Sequence, residues 1–504
     1  MNLLFTSKRT RLIFLLSLII LLGIYFRFYN FPNRITTDPD SQRDAFVAIE
    51  GARNMQLPLT GPFISIAPVT TGPWYWYQLI VFRKIFPSIY SPWIYLGILS
   101  SLLPLIFFRI GSLLESRLYG LILSLIVVFS PQQIQTSAFL TNPSVIGIFS
   151  SLVFLIFLEI IIKKRNDRWG LLLGVITGIT INIHYQSLLL IIFLLFLLPF
   201  KRTKTFLYSL IGLSLTFLPL FFFDLNNHWF NTKHMLDYLL IGQYRIWISN
   251  RWLTYILDFW PNFWALVIGG SKLFASTMMI LAAIILIKKI KTDRNRKIYL
   301  YFALSFLINI IVLRYYRGEK YFGYLQFFQP YIFIFSGLVL FSLWQIKYKI
   351  IGLLSLGLYL FLVYPSSINM MVGAWPTNET YNLYNNIMTK WGNHPYSYYI
   401  CPGTEKVRSG ALGLILDLNH KLDPGNSSKI FYFYGNCHFP NIVREGKVIQ
   451  TQGFDSAKKI FPNTGLVFDI SEATQGAVLE TNMIKFTAQK EYQSAARWWF
   501  DEQP

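Results

Sequence analysis

The long apolar blocks are the feature that most restricts how this chain can fold. Residues 12–26, 145–162 and 331–344 are mostly Leu, Ile, Val and Phe. A block of about 18 such residues can cross the hydrocarbon core of a bilayer as a helix. A soluble domain could not cover so many apolar faces, and it would carry more charge than the 14% found here. The chain is therefore expected to be an α-helical polytopic membrane protein.

We predict about eleven transmembrane helices from the position of the apolar stretches. They fall near residues 11–28, 92–109, 117–133, 142–162, 168–182, 184–200, 204–223, 266–287, 298–313, 324–345 and 349–366. The fifth and sixth are divided at the polar sequence around His184, because together they are too long for one span. The first follows basic residues, as a signal peptide does, but no small-residue cleavage site follows it. We expect it to remain as an uncleaved helix.

The basic residues predict the orientation of these helices. The formal net charge of +21 could also suit a nucleic-acid-binding protein. However, much of the basic charge lies in short loops between apolar blocks, which is the positive-inside pattern. The loops that are then cytoplasmic, with the N-terminus, are 109–117, 163–168, 201–204, 288–297 and 347–349. An odd number of spans predicts a transmembrane module over residues 1–366 and an extracytoplasmic C-terminal domain over residues 367–504.

The C-terminal region has the composition of a water-exposed domain. It is rich in Asn, Gly, Ser, Thr and Lys, and the apolar and aromatic run 429–434 predicts a strand. A small α/β domain is expected. The two cysteines of the chain, Cys401 and Cys437, both lie in this region. A location outside the cell would allow them to form a disulfide, and the alternative is two unpaired thiols.

Three predicted outer segments are candidates for function: residues 29–91, 224–265 and 314–323. The first is too long for a simple connection. Within it, residues 41–56 and the aromatic stretch 74–86 each predict a helix that lies along the membrane surface. A site for a membrane-bound substrate is therefore expected on the outer side.

An acidic cluster stands at the start of the first predicted interfacial helix. It consists of Asp38, Asp40 and Asp44. Asp40, just after Pro39, is suited to cap the helix, because its side chain can accept from the free amides of the first turn. Capping explains one carboxylate and not three. The functional interpretation is a general base, a ligand of a divalent cation, or both, with Asp40 as the candidate for either role.

A second candidate is the basic cluster of Arg314, Arg317 and Lys320, which lies on the predicted outer side. One interpretation is that these side chains reach the lipid headgroups along the membrane surface. The other is a clamp for a lipid-linked phosphate, for which arginine supplies a planar pair of donors.

The remaining polar residues give weaker signals. His184 is interpreted as an interfacial histidine, and His228 and His234 lack a metal-ligand spacing. Asp224, at the end of the seventh predicted span, could simply cap the following loop. The sequence has no Walker motif, no Gly-rich dinucleotide loop and no His-Glu-x-x-His motif, so an ATP-driven pump or a zinc protease is poorly supported.

The layout resembles the GT-C membrane glycosyltransferases, in particular the protein O-mannosyltransferase and aminoarabinose transferase family, glycosyltransferase family 39. Those enzymes have a first helix followed by a long outer loop with an acidic motif and two helices lying on the membrane. Their motif reads Asp-Glu-x-Arg-Tyr, or Asp-x-x-Arg-Asp in many bacterial relatives. Asp40, Arg43 and Asp44 match the second form. The resemblance covers roughly residues 8–345.

Other parts of the family pattern are present in altered form. The Pro-Pro-aromatic stretch corresponds to residues 71–76, and residues 219–232 also look like bacterial members. Thr70 stands where some relatives have a metal-binding acid, and Asn142 where a second acid is common. These changes put a tightly bound metal in doubt. The resemblance assigns substrate contacts to Asn142 and Asp224.

The resemblance implies transfer of a sugar from a polyprenyl-phosphate donor to a lipid, glycan or protein acceptor on the outer face. Asp40 would activate the acceptor, with Asp44 orienting the acceptor or a cation, and a single displacement would invert the anomeric carbon. The alternative is a transporter or flippase of lipid-linked sugars, although inverted repeats are not evident. A non-catalytic scaffold that presents the C-terminal domain is a third possibility.

Overall fold

The computed structural model describes most of the helical region and a few strands beyond it. The described residues are 8–35, 38–64, 67–88, 90–242, 252–318, 320–346 and 348–373, with strands between residues 397 and 479. Cys401 and Cys437 lie outside the described residues. Their predicted disulfide therefore stays a prediction.

Helices dominate the described residues. The α-helices are α1 (Lys8–Phe28), α2 (Phe31–Arg34), α3 (Pro39–Asn54), α4 (Trp74–Ile85), α5 (Ser91–Leu114), α6 (Arg117–Val128), α7 (Pro131–Thr136), α8 (Ile146–Ile162), α9 (Trp169–Ile183), α10 (Ile192–Leu195), α11 (Thr203–Thr216), α12 (Leu218–Asn226), α13 (Phe230–Leu240), α14 (Trp252–Thr254), α15 (Trp260–Ile268), α16 (Lys272–Thr292), α17 (Arg296–Tyr315), α18 (Gln329–Trp344) and α19 (Lys349–Asn369). Short 3₁₀ segments are formed by Asn142–Val145, Tyr185–Ile191 and Phe322–Phe328, and a π-helical turn by Tyr255–Phe259.

The long helices confirm a multi-pass membrane protein. Seven helices of the described part are long and apolar enough to cross a bilayer: Thr10–Phe28, Ser91–Leu114, Asn142–Ile162, Lys272–Thr292, Arg296–Tyr315, Phe322–Trp344 and Lys349–Asn369. The pair Thr203–Thr216 and Leu218–Asn226, bent by 45°, makes an eighth candidate. Arg117–Val128, Trp169–Ile183 and Tyr185–Leu195 are shorter apolar helices. Each of the predicted spans has a counterpart among these segments.

One predicted boundary was wrong. The stretch 266–287 was expected to be a single helix, but α15 ends at Ile268 and α16 begins at Lys272. Gly269 and Gly270 have φ of 85° and 84°, a conformation that L side chains rarely adopt. The two glycines end α15, and Ser271 then caps α16 by accepting from the Phe274 N–H.

Close packing of α9 on α11 depends on small residues. A Cβ added at Gly174 would lie 1.9 Å from the Ser209 carbonyl oxygen, and one at Gly212 would lie 2.2 Å from the Leu171 carbonyl oxygen. Any larger residue would force the two backbones apart. This is the small-residue packing that lets membrane helices approach closely.

Two ionic clusters join residues that lie in the predicted cytoplasmic loops or at the ends of the spans next to them. Glu159 accepts from the Arg165 Nε at 2.9 Å and is also paired with Arg109. Glu115 is bonded to Lys289 and Tyr299. These contacts connect loops that are far apart in sequence, as expected if they emerge at one end of the helices. The assignment of that end to the cytoplasm stays a prediction.

The strands confirm the predicted strand at 429–434 and form two small sheets. The strands are β1 (Ser397–Ile400), β2 (Ile430–Tyr434), β3 (Ile442–Arg444), β4 (Lys447–Ile449), β5 (Leu466–Asp469) and β6 (Val478–Leu479). β2 pairs in parallel with β1 and antiparallel with β5, and β3 pairs antiparallel with both β4 and β6.

The described residues form two compact units. The first lies within Met1–Tyr29, Pro58–Gln78 and Trp93–Val372, and the second within Asn30–Leu57, Leu79–Pro92 and Gly373–Pro504. In the first unit, Phe154 packs at 4.4 Å from Phe193 and 4.6 Å from Tyr331, measured between ring centroids. The predicted domain boundary at residue 366 stays a prediction.

Candidate functional site

The acidic cluster of the second unit begins with a helix cap. The Asp38 carboxylate accepts from the Ser41 N–H at 2.8 Å and is the N-cap of α3. The predicted cap, Asp40, is therefore wrong, since it lies inside the first turn of the helix. Pro39 takes the first helical position, and the residue before a proline is held extended, as an N-cap residue must be. Burial raises the pKa of Asp38, and the bond from Ser41 opposes that shift.

Arg43 joins the other two carboxylates of the cluster. Its Nη1 donates to Asp40 Oδ1 at 2.6 Å, and its Nε donates to Asp44 Oδ1 at 2.9 Å. The two carboxylates differ in environment, since the Asp40 side chain is 62% exposed and that of Asp44 is fully buried. Asp40 can therefore meet a water-borne acceptor, whereas Asp44 is suited to orient Arg43.

Asp224 and Thr70 take part in one series of hydrogen bonds in the first unit. The resemblance associates Asp224 with substrate and the position of Thr70 with a metal. Asp224 accepts from the N–H groups of Asn231 and Thr232 at 2.7 and 3.1 Å. The Asn231 side chain in turn accepts from the Thr70 N–H at 2.7 Å, and Tyr185 donates to the Thr70 carbonyl. This geometry favours the capping interpretation of Asp224. Asn231 was not selected from the sequence, although it lies within residues 219–232, which resemble bacterial members of the family.

Asn142 is placed at a helix end. Its Nδ2 donates to the Ile183 carbonyl oxygen at 2.7 Å, which satisfies one of the free carbonyl groups at the end of α9. His184 follows at once, and its ring stacks on Tyr324 at 4.5 Å. The predicted break between two apolar helices at this point is confirmed, and a substrate role for Asn142 stays a prediction.

The basic cluster contains a buried arginine. Arg314, in the last turn of α17, is 6% exposed. Its guanidinium carbon lies 5.4 Å from the Trp252 ring and 5.6 Å from the Tyr255 ring, so it makes cation–π contacts with both. Its Nε and Nη2 have no hydrogen-bond partner among the described residues. The two aromatic residues were not identified from the sequence.

Lys320 lies near enough to Arg314 to be affected by its charge, whereas Arg317 differs from Arg314 in being exposed. Lys320 is partly buried and donates from Nζ to the Tyr316 carbonyl oxygen. Burial, together with the nearby charge of Arg314, lowers the pKa of Lys320 to about 8. Arg317 is exposed. Burying Arg314 beside a second, partly buried cation is unfavourable unless an anion joins them, so Arg314 and Lys320 together could hold an anion.

The described residues do not provide an evident metal site. No group of three or more His, Cys, Asp or Glu side chains converges within them. Of the three acids in the acidic cluster, Asp38 caps a helix, and Asp40 and Asp44 both bind Arg43. As arranged, these carboxylates do not fit a divalent cation, and the reaction proposed below uses no metal.

Part of the sequence matches a known family. The family model of dolichyl-phosphate-mannose-protein mannosyltransferase matches residues 73–226. The match begins at the Pro-aromatic stretch and includes Asn142 and Asp224, but it does not include the acidic cluster. A comparison with curated proteins gave no match.

Solved structures match over a much larger part of the chain. ArnT from Cupriavidus metallidurans bound to undecaprenyl phosphate has a TM-score of 0.57 at 10% sequence identity, covering 93% of this chain and 99% of that one. ArnT from the same organism in the apo state has a TM-score of 0.56 at 12% identity, covering 85% and 94%. At sequence identities this low, the structural matches show a common fold and nothing about activity. The chain therefore has the GT-C fold of ArnT, in agreement with the family 39 resemblance of its motifs, and its residues 73–226 match the dolichyl-phosphate-mannose-protein mannosyltransferase family.

Proposed function

We propose that this protein is a glycosyltransferase that moves a sugar from a polyprenyl-phosphate donor to an acceptor on the outer face of the membrane. The observation that carries the proposal is the buried Arg314 guanidinium with two unpaired nitrogens, next to Lys320. A phosphate would supply the missing acceptors and the opposite charge. The fold supports this assignment, since the ArnT structure was obtained with undecaprenyl phosphate bound.

The reaction is a single displacement at the anomeric carbon. A hydroxyl oxygen of the acceptor forms a bond to that carbon while the bond from the carbon to the phosphate oxygen breaks. Asp40 takes the hydroxyl proton, and the electron pair of the broken bond leaves on the lipid phosphate. Attack from the side opposite the leaving group inverts the anomeric configuration.

Each charged residue has a separate part in this scheme. Arg314 and Lys320 stabilise the charge that develops on the leaving phosphate. Arg43 holds the Asp40 carboxylate in place, at 2.6 Å, and the buried Asp44 holds Arg43 from its other side. In this scheme the exposed Arg317 attracts the donor along the membrane surface and makes no fixed contact with it.

The location of the reaction follows from the donor. Its polyprenyl chain stays in the bilayer, so an enzyme that uses it must present its site at the membrane boundary. The positive-inside rule predicts that the N-terminus is cytoplasmic and that the acidic and basic clusters are outside.

The experiment is a transfer assay with purified protein in nanodiscs. Undecaprenyl-phosphate hexoses are supplied with cell-envelope lipid and peptide acceptors, and free undecaprenyl phosphate and the glycosylated product are measured. Asp40→Asn should lower the rate by about two orders of magnitude, as expected for loss of a general base. Asp38→Asn, which keeps the helix cap, is the matched control and should be much milder.

Two results would contradict the proposal. Sugar crossing the membrane while still attached to its lipid, with no free undecaprenyl phosphate, would indicate the transporter alternative. Near-normal transfer by the Asp40→Asn variant would show that the base lies elsewhere, first at Asp44 and then at Asp224.

A further inference from the structure

Among the buried polar side chains of the first unit, four that lie in two neighbouring segments carry an atom with no hydrogen-bond partner among the described residues. These atoms are Gln132 Oε1, Thr136 Oγ1, Gln326 Oε1 and Gln329 Nε2, and we call the four residues the polar layer. The residues are between 0% and 7% exposed. Leaving such groups unpaired inside a protein is unfavourable, and most buried polar groups do have a partner.

The polar layer is formed by two segments that lie side by side. Gln132 Nε2 donates to the Phe322 carbonyl oxygen at 3.4 Å, and the Gln133 side chain donates to Gln329 Oε1. Gln132 and Thr136 are one turn apart on α7 and share a face. Gln326 and Gln329 are three residues apart at the end of a 3₁₀ segment. Because such a helix has three residues per turn, the two side chains lie on the same side of the segment.

Hydrogen bonds also join the residues around the layer. Arg27, fully buried in α1, donates to Ser100 Oγ at 3.2 Å, and Ser100 donates to the Gln133 carbonyl oxygen at 3.1 Å. A Cβ added at Gly147 would lie 2.4 Å from Gln329 Oε1, so the glycine makes room for this side chain. The unpaired atoms therefore belong to a specific arrangement and not to a poorly packed region.

The chemistry of the layer suits a neutral, hydroxyl-rich ligand. Residues 131–136 and 322–329 contain no acidic and no basic side chain. Amide and hydroxyl oxygens accept from sugar hydroxyls, and the amide nitrogen donates to them. A buried ammonium group would instead need a carboxylate as its partner.

The layer is connected to the proposed phosphate site through aromatic side chains. Arg314 lies over Tyr255, Tyr255 stacks on Phe259 at 5.4 Å, and the Phe259 ring lies 5.1 Å from that of Phe322. Phe322 is the residue whose carbonyl oxygen accepts from Gln132. These ring contacts form a continuous series from the proposed phosphate site to the segment Phe322–Phe328, which carries Gln326.

We propose that the polar layer is the subsite for the donor's sugar and selects a neutral hexose. This inference rests on the proposed function, because it assigns residues to one part of the same site. The unpaired oxygens of Gln132 and Gln326 accept from sugar hydroxyls, and Gln329 Nε2 donates to another sugar oxygen. The atoms are covered in the present structure, so the proposal requires the 3₁₀ segment Phe322–Phe328 to shift when the sugar binds.

The test compares Gln132→Met and Gln326→Met with Gln135→Met. Methionine keeps the length of the side chain and removes its polar atoms. Gln135 lies on the exposed side of the same helix, so it is the matched control. Binding of undecaprenyl phosphate and of undecaprenyl-phosphate mannose, glucose and galactose is measured for each protein in nanodiscs, along with the midpoint of thermal unfolding.

The two glutamine variants should bind the preferred sugar-linked carrier roughly fivefold more weakly per lost hydrogen bond, with affinity for undecaprenyl phosphate unchanged. The unfolding midpoint of Gln326→Met should equal or exceed that of the control, because this variant loses an unpaired buried oxygen. Equal binding of the sugar-linked carriers by all three variants would overturn the subsite. A lowered midpoint with weaker binding of every carrier would assign the layer to packing and also overturn it. Failure of the wild-type protein to bind undecaprenyl phosphate would instead overturn the proposed function.

Discussion

Replacing Arg314 is the most direct test of the anion site. The Arg314→Ala variant removes the guanidinium, whose Nε and Nη2 have no partner among the described residues. A hydrogen bond to a charged group contributes about 1.5–3 kcal/mol, so losing one or two of them to phosphate should cost about 1.5–6 kcal/mol. The affinity for undecaprenyl phosphate should therefore fall at least roughly tenfold.

Further substitutions separate charge from geometry. Arg314→Lys keeps the charge and loses the planar pair of donors, so we expect binding roughly tenfold weaker than wild type. Arg317→Ala should have a smaller effect, about fivefold or less, because an exposed charge is screened by water. Arg314→Met should leave the unfolding midpoint unchanged or raise it, since the buried cation has unpaired nitrogens.

The assay is competition between labelled and unlabelled undecaprenyl phosphate, measured on protein in nanodiscs at fixed ionic strength. Arg294→Ala is the control, since Arg294 is an exposed residue of a predicted cytoplasmic loop. If Arg314→Ala bound the carrier as tightly as Arg294→Ala, the buried guanidinium would not be part of a phosphate site. The reasoning from unpaired nitrogens would then be refuted, whatever the transfer activity of the protein.

Four further predictions concern other parts of the chain. Because the pKa of Lys320 is lowered to about 8 and an anion needs its protonated form, affinity for a singly charged sugar-phosphate carrier should be greatest below pH 8 and fall above it; a Lys320→Met variant that kept the same pH profile would contradict this. Asp38→Ala should lower the free energy of unfolding by about 1 kcal/mol, whereas Asp38→Asn should not, as measured by thermal unfolding. A cysteine introduced at Asn295 should resist impermeant reagents in intact cells, and labelling from outside would reverse the predicted orientation. Mass spectrometry of protein isolated without reductant should find Cys401 bonded to Cys437, and free thiols at both would disprove that bond.

The helices could largely be located from the sequence, because length and apolar composition are local properties. The exceptions show what composition misses. The boundary near residue 270 was wrong because it depends on two glycines with positive φ, which apolar content does not reveal. The cap of α3 was also assigned to the wrong aspartate, although Pro39 was a sufficient signal for the right one.

The site was only partly accessible from the sequence. Arg314 and Lys320 could be selected because their charge is unusual on a predicted outer side. That Arg314 is buried between Trp252 and Tyr255, and that Arg317 is exposed, depends on how α17 packs against residues more than fifty positions away. The glutamines of the polar layer gave no sequence signal, since glutamine is common and uncharged.

The sequence by itself determined that this is a multi-pass helical membrane protein, because a bilayer permits few structures for long apolar blocks. It also predicted an orientation, and with it which basic residues lie on an unexpected side, because the positive-inside rule favours basic residues in cytoplasmic loops. Only the tertiary structure decided which polar atoms are buried and which of those lack a partner. Burial and pairing depend on contacts between distant segments, and it is the unpaired nitrogens of Arg314 and the unpaired atoms of Gln132 and Gln326 that point to a phosphate and a sugar.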